Sequence, residues 1–234
     1  MLLIHGLGSL ADSWWRIGPG LAALGFDVTA VDQAGHGGRA LRGEATPDVL
    51  AEAVREIHPE PPDVLIGHSL GTVTALALQP GWGRTVILEE PASSLQPDVC
   101  VTISESLTAD AVAVRRDRAA IVERVRRENP PWSDEDVHWS VEGMAQMDAA
   151  PFARRFAALA RTPPPDGSER IVSAAPDAYV IAALPESDSV LSRRDRDRLS
   201  SRLPAGHLIE LEGGHCLHRD APDAWLAAVA SIIG

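Results

Sequence analysis

The stretch Val64-Leu65-Ile66-Gly67-His68-Ser69-Leu70-Gly71-Thr72-Val73 joins a short apolar run to a G-x-S-x-G pentapeptide and then to a helix-like pattern. Glycines two positions either side of Ser69 permit a sharp strand-to-helix turn with a crowded backbone, which pushes the hydroxyl out to where a base and a substrate can reach it. A serine hydroxyl is a poor nucleophile at neutral pH, so this chemistry requires a histidine to take its proton and a carboxylate to orient that histidine. His215, in Gly213-Gly214-His215-Cys216-Leu217, follows the last apolar run of the chain. Asp188, in Leu184-Pro185-Glu186-Ser187-Asp188, follows the run before it. Ser69, Asp188 and His215 are thus the candidate catalytic residues. The reaction they imply is acyl transfer to water, with activity rising through about pH 6 to 7 as the imidazole becomes neutral.

Several other residues compete for these roles. Glu90, in Glu89-Glu90, ends an apolar run on the same expected edge and is the alternative acid; Asp177 precedes its run, and Asp195 lies within a charge run. His68 beside the serine reads as a packing or hydrogen-bonding residue of the turn, and His36 as a turn residue. His215-Cys216-Leu217-His218 has an i, i+3 histidine pair but no distant second ligand pair, so no metal is expected. Gly6-Leu7-Gly8-Ser9-Leu10-Ala11 formally satisfies GxGxxG/A, with Asp32 at the spacing of a ribose-binding acid. Gly18-Pro19-Gly20 interrupts the helix that a dinucleotide would need, and Trp14-Trp15 crowds the loop. No cofactor is expected.

The elements that must position these residues are short apolar runs bounded by Gly, Pro or Asp, alternating with helical patterns. That alternation marks βαβ units around a parallel sheet buried on both faces. Strands are predicted over 2–4, 27–31, 63–66, 85–88, 178–184 and 207–211, and helices over 20–24, 47–57, 70–77 and 222–233. In that arrangement Ser69 and His215 leave carboxyl ends of strands, the edge where open α/β sheets put their ligands. Between Pro91 and Pro165 the pattern is helical throughout, with a helix over 110–128 and Ser133-Asp134-Glu135-Asp136 as an N-cap and acidic first turn before a helix over 137–147. Pro163-Pro164-Pro165-Asp166-Gly167 reads as a stiff linker. Arg193-Arg194-Asp195-Arg196-Asp197-Arg198 reads as a solvated face.

Composition excludes other classes. The chain has 234 residues, 45% of them hydrophobic, and a net charge of −12 with every one of its 21 basic residues an arginine. Without lysine there is no Schiff-base or pyridoxal-lysine chemistry, and without a polybasic patch neither nucleic acid nor an anionic membrane is an expected partner. Two cysteines, Cys100 and Cys216, in no CxxC motif, fit a reducing compartment. The beginning of the sequence lacks a basic n-region and a long apolar run, so the expected location is cytoplasmic.

These motifs resemble the α/β-hydrolase superfamily, in its lidded, esterase-like branch. His5-Gly6-Leu7-Gly8 is similar to the family's HGxG oxyanion loop, Asp32-Gln33-Ala34-Gly35-His36-Gly37 to its DxxGHG turn, Glu186-Ser187-Asp188 to the stretch that delivers the acid, and Gly213-Gly214-His215 to its GGH motif. The resemblance implies an α/β fold, with core residues 1–91 and 169–234 and a helical lid over 92–168. The mostly parallel sheet has about six strands with helices on both faces, since the two strands usual before the HG strand have no counterpart in the sequence. It places the 27–31 strand at an edge, which a covering segment or a homodimer would relieve. It also implies an oxyanion hole from the backbone N–H groups of Leu7 and Leu70, and a serine hydrolase cleaving a carboxylic ester or lactone of an uncharged, small to medium-sized substrate. Trp132, Trp139 and Met144 of the lid are candidate substrate contacts. C–C bond hydrolysis, cofactor-free perhydrolysis and low-turnover ligand sensing on the same scaffold stay open as alternatives.

Overall fold

The computed structural model describes residues 1–92, 95–162 and 166–234. Six strands form one sheet: β1 (Leu2–Ile4), β2 (Thr29–Val31), β3 (Val64–His68), β4 (Thr85–Glu89), β5 (Tyr179–Ala183) and β6 (Leu208–Leu211). Their order is β2-β1-β3-β4-β5-β6, and every pairing is parallel. The predicted six-stranded sheet is therefore present, with the β2 strand at one edge. Alternate residues of each strand enter different layers, as the two-residue period of a strand requires. Leu2, Ile4, Leu65, Leu88, Val180 and Ala182 join one core cluster. Leu3, Val64, Ile66, Ile87, Ile181 and Ala183 join the other.

The helices that cover these faces are α1 (Ile17–Ala23), α2 (Pro47–Ile57), α3 (Leu70–Leu78), α8 (Gly167–Ala174), α9 (Arg193–Arg202), α10 (Leu217–Asp220) and α11 (Pro222–Ile233). Helix α2 starts where its sequence dictates: the Thr46 hydroxyl accepts from the Val49 N–H, Pro47 occupies the first turn, and Asp48 faces the positive end of the helix. Gly67 and Gly71 let α3 pack directly against the sheet. A Cβ at Gly71 would lie 2.2 Å from the Ile4 carbonyl oxygen, and one at Gly67 would lie 2.5 Å from the carbonyl oxygen of Gly71.

Between β4 and α8 the chain forms α4 (Pro97–Arg116), α5 (Arg118–Glu128), α6 (Asp134–Gln146) and α7 (Ala149–Arg161). The expected N-cap at Ser133 is formed, and as a full capping box: the Ser133 hydroxyl accepts from the Asp136 N–H while the Asp136 carboxylate accepts from the Ser133 N–H. The predicted helix over 110–128 is broken at Asp117, which ends α4 and caps α5 through the Ala120 N–H. This insertion has its own apolar centre around Val114, Ile121, Val125, Val137 and Val141. A second cluster, including Leu50, Ala111, Met147 and Phe152 with Leu7 and Leu70 against it, joins the insertion to the sheet layers. Helix α8 packs with the sheet layers instead, through Ile171 and Ala175 at its C-terminal side. Residues 163–165, the proline run of the expected linker, lie outside the described residues. Among the described residues, no helix is long and apolar enough to cross a membrane.

Candidate active site

Ser69 stands between β3 and α3 with φ 50° and ψ −112°. That left-handed conformation is rare for a residue with a side chain and is the strained turn that the flanking glycines foreshadow. Its N–H donates to the Glu89 carbonyl at 3.0 Å, tying the turn to β4. Ser69 Oγ lies 3.0 Å from His215 Nε2, within reach for direct proton transfer.

The other side of the His215 ring departs from expectation. Nδ1 lies 3.3 Å from Oε2 of Glu90, and Asp188 is an exposed residue with no hydrogen bond to the ring. The loop after β5, predicted to supply the carboxylate, supplies donors that hold one. Glu90 Oε1 accepts from the Ala183 N–H at 2.7 Å and Oε2 from the Val190 N–H at 2.9 Å, and the Ser189 hydroxyl reaches both oxygens at 2.8 and 3.1 Å. Glu90 is 0% exposed. Its own backbone has φ 46°. Ser69 and Glu90 are the two residues other than glycine with positive φ among the described residues.

The Arg196 guanidinium supports this arrangement. It donates to the Ser189 hydroxyl and the Ala183 carbonyl, both at 2.7 Å, and pairs with Glu210. The charge run over 193–198 is therefore not a uniformly solvated face, because Asp195 and Arg196 of α9 are 1% and 5% exposed. The run folds as a helix whose inward turn carries charge, a pattern the alternation of Arg and Asp conceals.

Glu89 serves the same loop in a different way. Its Oε1 accepts from both the N–H and the Nδ1 of His218, at 3.0 and 2.8 Å. His68 Nε2 donates to the His215 carbonyl at 2.9 Å, in keeping with the hydrogen-bonding role expected of it. His68, Glu89 and His218 each bring one potential ligand atom within 4.8 Å of the others. Through the His68 bond to the His215 carbonyl and the Glu89 bonds to His218, the three tether the His215 loop from buried positions. Burial holds both histidines well below the usual imidazole pKa and raises that of Glu89. Cys216, beside His215, is half-buried, and desolvation pushes its thiol pKa up to about 12.

The His5-Gly6-Leu7-Gly8 loop is fixed from below. The Gln33 N–H donates to His5 Nε2 at 3.0 Å, so Nδ1 carries the proton and donates to the Gly6 carbonyl at 2.7 Å. The Gln33 amide donates to the His5 carbonyl, and the Thr74 hydroxyl donates to the Gln33 amide oxygen. His36 Nε2 accepts from the Gly8 N–H at 3.1 Å, which gives the expected structural histidine a specific task. Burial lowers the pKa of His5 to about 4 and that of His36 to about 3, so both are neutral and able to accept. Gly6 approaches so closely that a Cβ there would lie 2.7 Å from His68 Nδ1 and 3.3 Å from Ser69 Cβ. The Leu7 N–H has no hydrogen-bond acceptor among the described residues, and Leu70 opens α3, where N–H groups are free by helix geometry. Asp32 accepts from the Ala11 N–H at 2.7 Å and so braces the 3₁₀ turn Ala11–Trp14. The chain after these glycines forms this turn, and the next helix, α1, starts at Ile17.

Two cavities meet at Ser69 and His215. The larger, about 400 Å³, is walled mainly by apolar residues including Leu76, Ile103, Phe152, Phe156 and Leu159, with Arg155 and Arg170 also on its boundary. The smaller, about 220 Å³, is lined by Leu7, Trp132, Met144, Met147 and Arg219 among others. Trp132 and Met144, two of the candidate substrate contacts, thus line the smaller cavity. Trp139 lines neither cavity; it packs edge-on to His138 at 4.7 Å. A still larger groove, about 890 Å³, runs along α4 and α5, but its lining includes neither Ser69 nor His215.

With this geometry in view, a family model described as "Alpha/beta hydrolase family" matches residues 1–229. The chain belongs to the alpha/beta hydrolase family. Among curated proteins, this hydrolase-family chain is 35% identical over 85 residues to a probable esterase, PIR7A, of Oryza sativa. That match covers 33% of this chain and 32% of the relative's length. Among solved structures it is similar to the enol-lactonase from Burkholderia xenovorans, with TM-score 0.72, 21% identity and coverage of 99% of this chain and 90% of the other. It is likewise similar to E-2-(acetamidomethylene)succinate hydrolase, with TM-score 0.71, 19% identity and coverage of 100% and 90%. A hydrolase from Pseudomonas aeruginosa superposes with TM-score 0.76 at 21% identity, covering 100% of this chain and 89% of the other. These likenesses establish the shared fold.

Proposed function

We propose that the chain is a serine hydrolase that cleaves a carboxylic ester or lactone through an acyl-enzyme on Ser69. The observation that carries this reading is the continuous path from Ser69 Oγ to His215 Nε2 at 3.0 Å and from His215 Nδ1 to Glu90 Oε2 at 3.3 Å. His215 takes the serine proton as the hydroxyl attacks the carbonyl carbon, then delivers it to the leaving oxygen. Water attacks the resulting acyl-enzyme by the same route in reverse. Glu90, not Asp188, orients the ring and stabilises the imidazolium. The Leu7 and Leu70 N–H groups receive the developing oxyanion, and their fixed placement makes that stabilisation free of reorganisation at the moment of reaction. The apolar larger chamber receives the uncharged part of the substrate, and α4–α7 act as its lid.

The family membership and the partial likeness to a probable esterase support hydrolysis, and the similarity to an enol-lactonase is consistent with a lactone. The decisive experiment is a 4-nitrophenyl ester series from acetate to decanoate with wild type and Ser69→Ala, together with mass spectrometry after a fluorophosphonate probe. Turnover lost by at least about 10⁴-fold in the variant, with the probe added at Ser69, is expected. Turnover retained in Ser69→Ala, or no wild-type turnover on any ester, overturns the proposal; in the latter case C–C bond hydrolysis and ligand sensing become the readings to test.

A further inference from the structure

The smaller chamber contains a cation that the reaction above does not use. Arg219, on α10 four residues after His215, is 3% exposed and lines this chamber with Ser69 and His215. Its guanidinium carbon sits 4.7 Å from the centre of the Trp132 ring. Nη2 donates to the Ser9 hydroxyl at 3.1 Å, while Nε is buried with no acceptor among the described residues. No carboxylate of the described residues pairs with it. Asp110, the acidic residue in the chamber wall, is taken by Arg124 at 2.8 Å. Its neighbour Asp220 holds the Trp132 indole N–H at 2.6 Å and the Gly214 N–H at 2.8 Å.

A guanidinium removed from water without a counter-ion is unfavourable, and structures retain such a group where something else supplies the charge. The planar fork matches a carboxylate, and the tryptophan face against it limits its rotation without satisfying its N–H donors. We infer that the smaller chamber binds a carboxylate of the substrate, so that the compound cleaved at Ser69 carries an acid group on the side opposite the apolar chamber. The expectation of an uncharged substrate then applies to the group in the larger chamber alone. This inference rests on the serine-hydrolase reading for the cleavage but not for the binding.

The test compares kcat/KM within two pairs of esters that differ in one carboxylate. Mono(4-nitrophenyl) adipate against 4-nitrophenyl hexanoate places the acid on the acyl side; 3-acetoxybenzoate against 3-acetoxybenzamide places it on the leaving group. Wild type should favour the acid of at least one pair by tenfold or more, expressed mainly in KM, and Arg219→Gln should reduce that preference below about twofold. Arg219→Lys, which keeps the charge and loses the fork, should retain an intermediate preference and covers the case in which the glutamine variant does not fold. Equal use of both members of each pair by wild type, or a preference that survives Arg219→Gln, overturns the inference. Calorimetric titration of Ser69→Ala with adipate and with 3-hydroxybenzoate separates the two proposals. Binding weakened at least tenfold by adding Arg219→Gln supports the carboxylate site even if no ester is turned over. Absence of binding by either acid counts against the site even if neutral esters are cleaved.

Discussion

The assignment of the acid turns on two residues that the sequence reading ranked with Asp188 ahead of Glu90. Glu90 and Asp188 both lie on the carboxyl edge of the sheet, one after β4 and one after β5. Only the placement of His215 between them decides which faces Nδ1. Glu90→Gln should therefore lower kcat by about 10³-fold or more, as loss of the orienting carboxylate does in such triads. Asp188→Asn should stay within about twofold, as an exposed substitution does. Steady-state kinetics on a short 4-nitrophenyl ester distinguishes them, and the reverse ranking would restore Asp188. The buried histidines make a second, thermodynamic prediction. His5 and His36 have folded pKa values of about 4 and about 3, and His68 and His218 are also shifted well down, all chiefly by burial. In the unfolded chain these rings take protons near pH 6.5, so each contributes stability that is present above that pH and lost as pH falls toward the folded values, by about 1.4 kcal/mol per pH unit. Glu89, whose folded pKa is raised, opposes this trend between its ordinary pKa of 4.5 and the raised one. Urea melts at pH 7 and pH 5 should show a lower unfolding free energy at pH 5. Equal or greater stability at pH 5 would mean that the buried rings are charged.

At the scale of elements, what was legible was whatever local pattern controls. The strands, the Ser69 turn, the position of His215 after β6 and the all-helical insertion follow from apolar runs, glycine spacing and caps. The role of α9 was hidden, because an alternating Arg and Asp stretch reads as surface until tertiary packing turns one side of it inward. Arg196 spans the Ala183 and Leu191 carbonyls, the Ser189 hydroxyl and Glu210. Replacing it by methionine should reduce stability by about 3 kcal/mol, the usual scale for breaking a buried charged network, and should lower kcat, since Ser189 then loses the donor that fixes it under Glu90. Unchanged thermal stability would show that the network is incidental. The β3-α3 junction predicts differently. Gly71→Ala puts a methyl against the Ile4 carbonyl, which is backbone and has little room to yield. A destabilisation of about 3 kcal/mol or more is expected, measurable by denaturant unfolding, and a variant as stable as wild type would show that α3 can move off the sheet.

For the whole molecule, the question is whether the insertion and the sheet layers unfold as one. The cluster of Leu50, Ala111, Met147 and Phe152 crosses the boundary directly beside Leu7 and Leu70, so both cavities exist only while the two parts are docked. Far-UV circular dichroism and tryptophan fluorescence should therefore melt together, Trp132 and Trp139 reporting from the insertion and Trp14, Trp82 and Trp225 from the sheet layers. Two separated transitions would mean that the insertion is an independent cooperative unit. Arg219 belongs at this scale too. Its spacing from His215 was visible, but its significance depends on Trp132 arriving from the insertion, and no local pattern reveals that the charge is left without a partner.

Glu90 is the final residue before the chain departs through Pro91 into the insertion, and it is bolted to β5 and its following loop by both carboxylate oxygens and by its own N–H, which donates to the Ile181 carbonyl at 2.8 Å. The mechanical consequence lies along the chain. A force applied from Pro91 meets this clamp before it meets the imidazole, Glu89 secures the His215 loop from the neighbouring position on β4, and the insertion touches that loop separately, through the Trp132 indole on Asp220. The point where the insertion leaves the sheet is thereby held by β5 and the loop after it, apart from the contacts that helices α4–α7 make above.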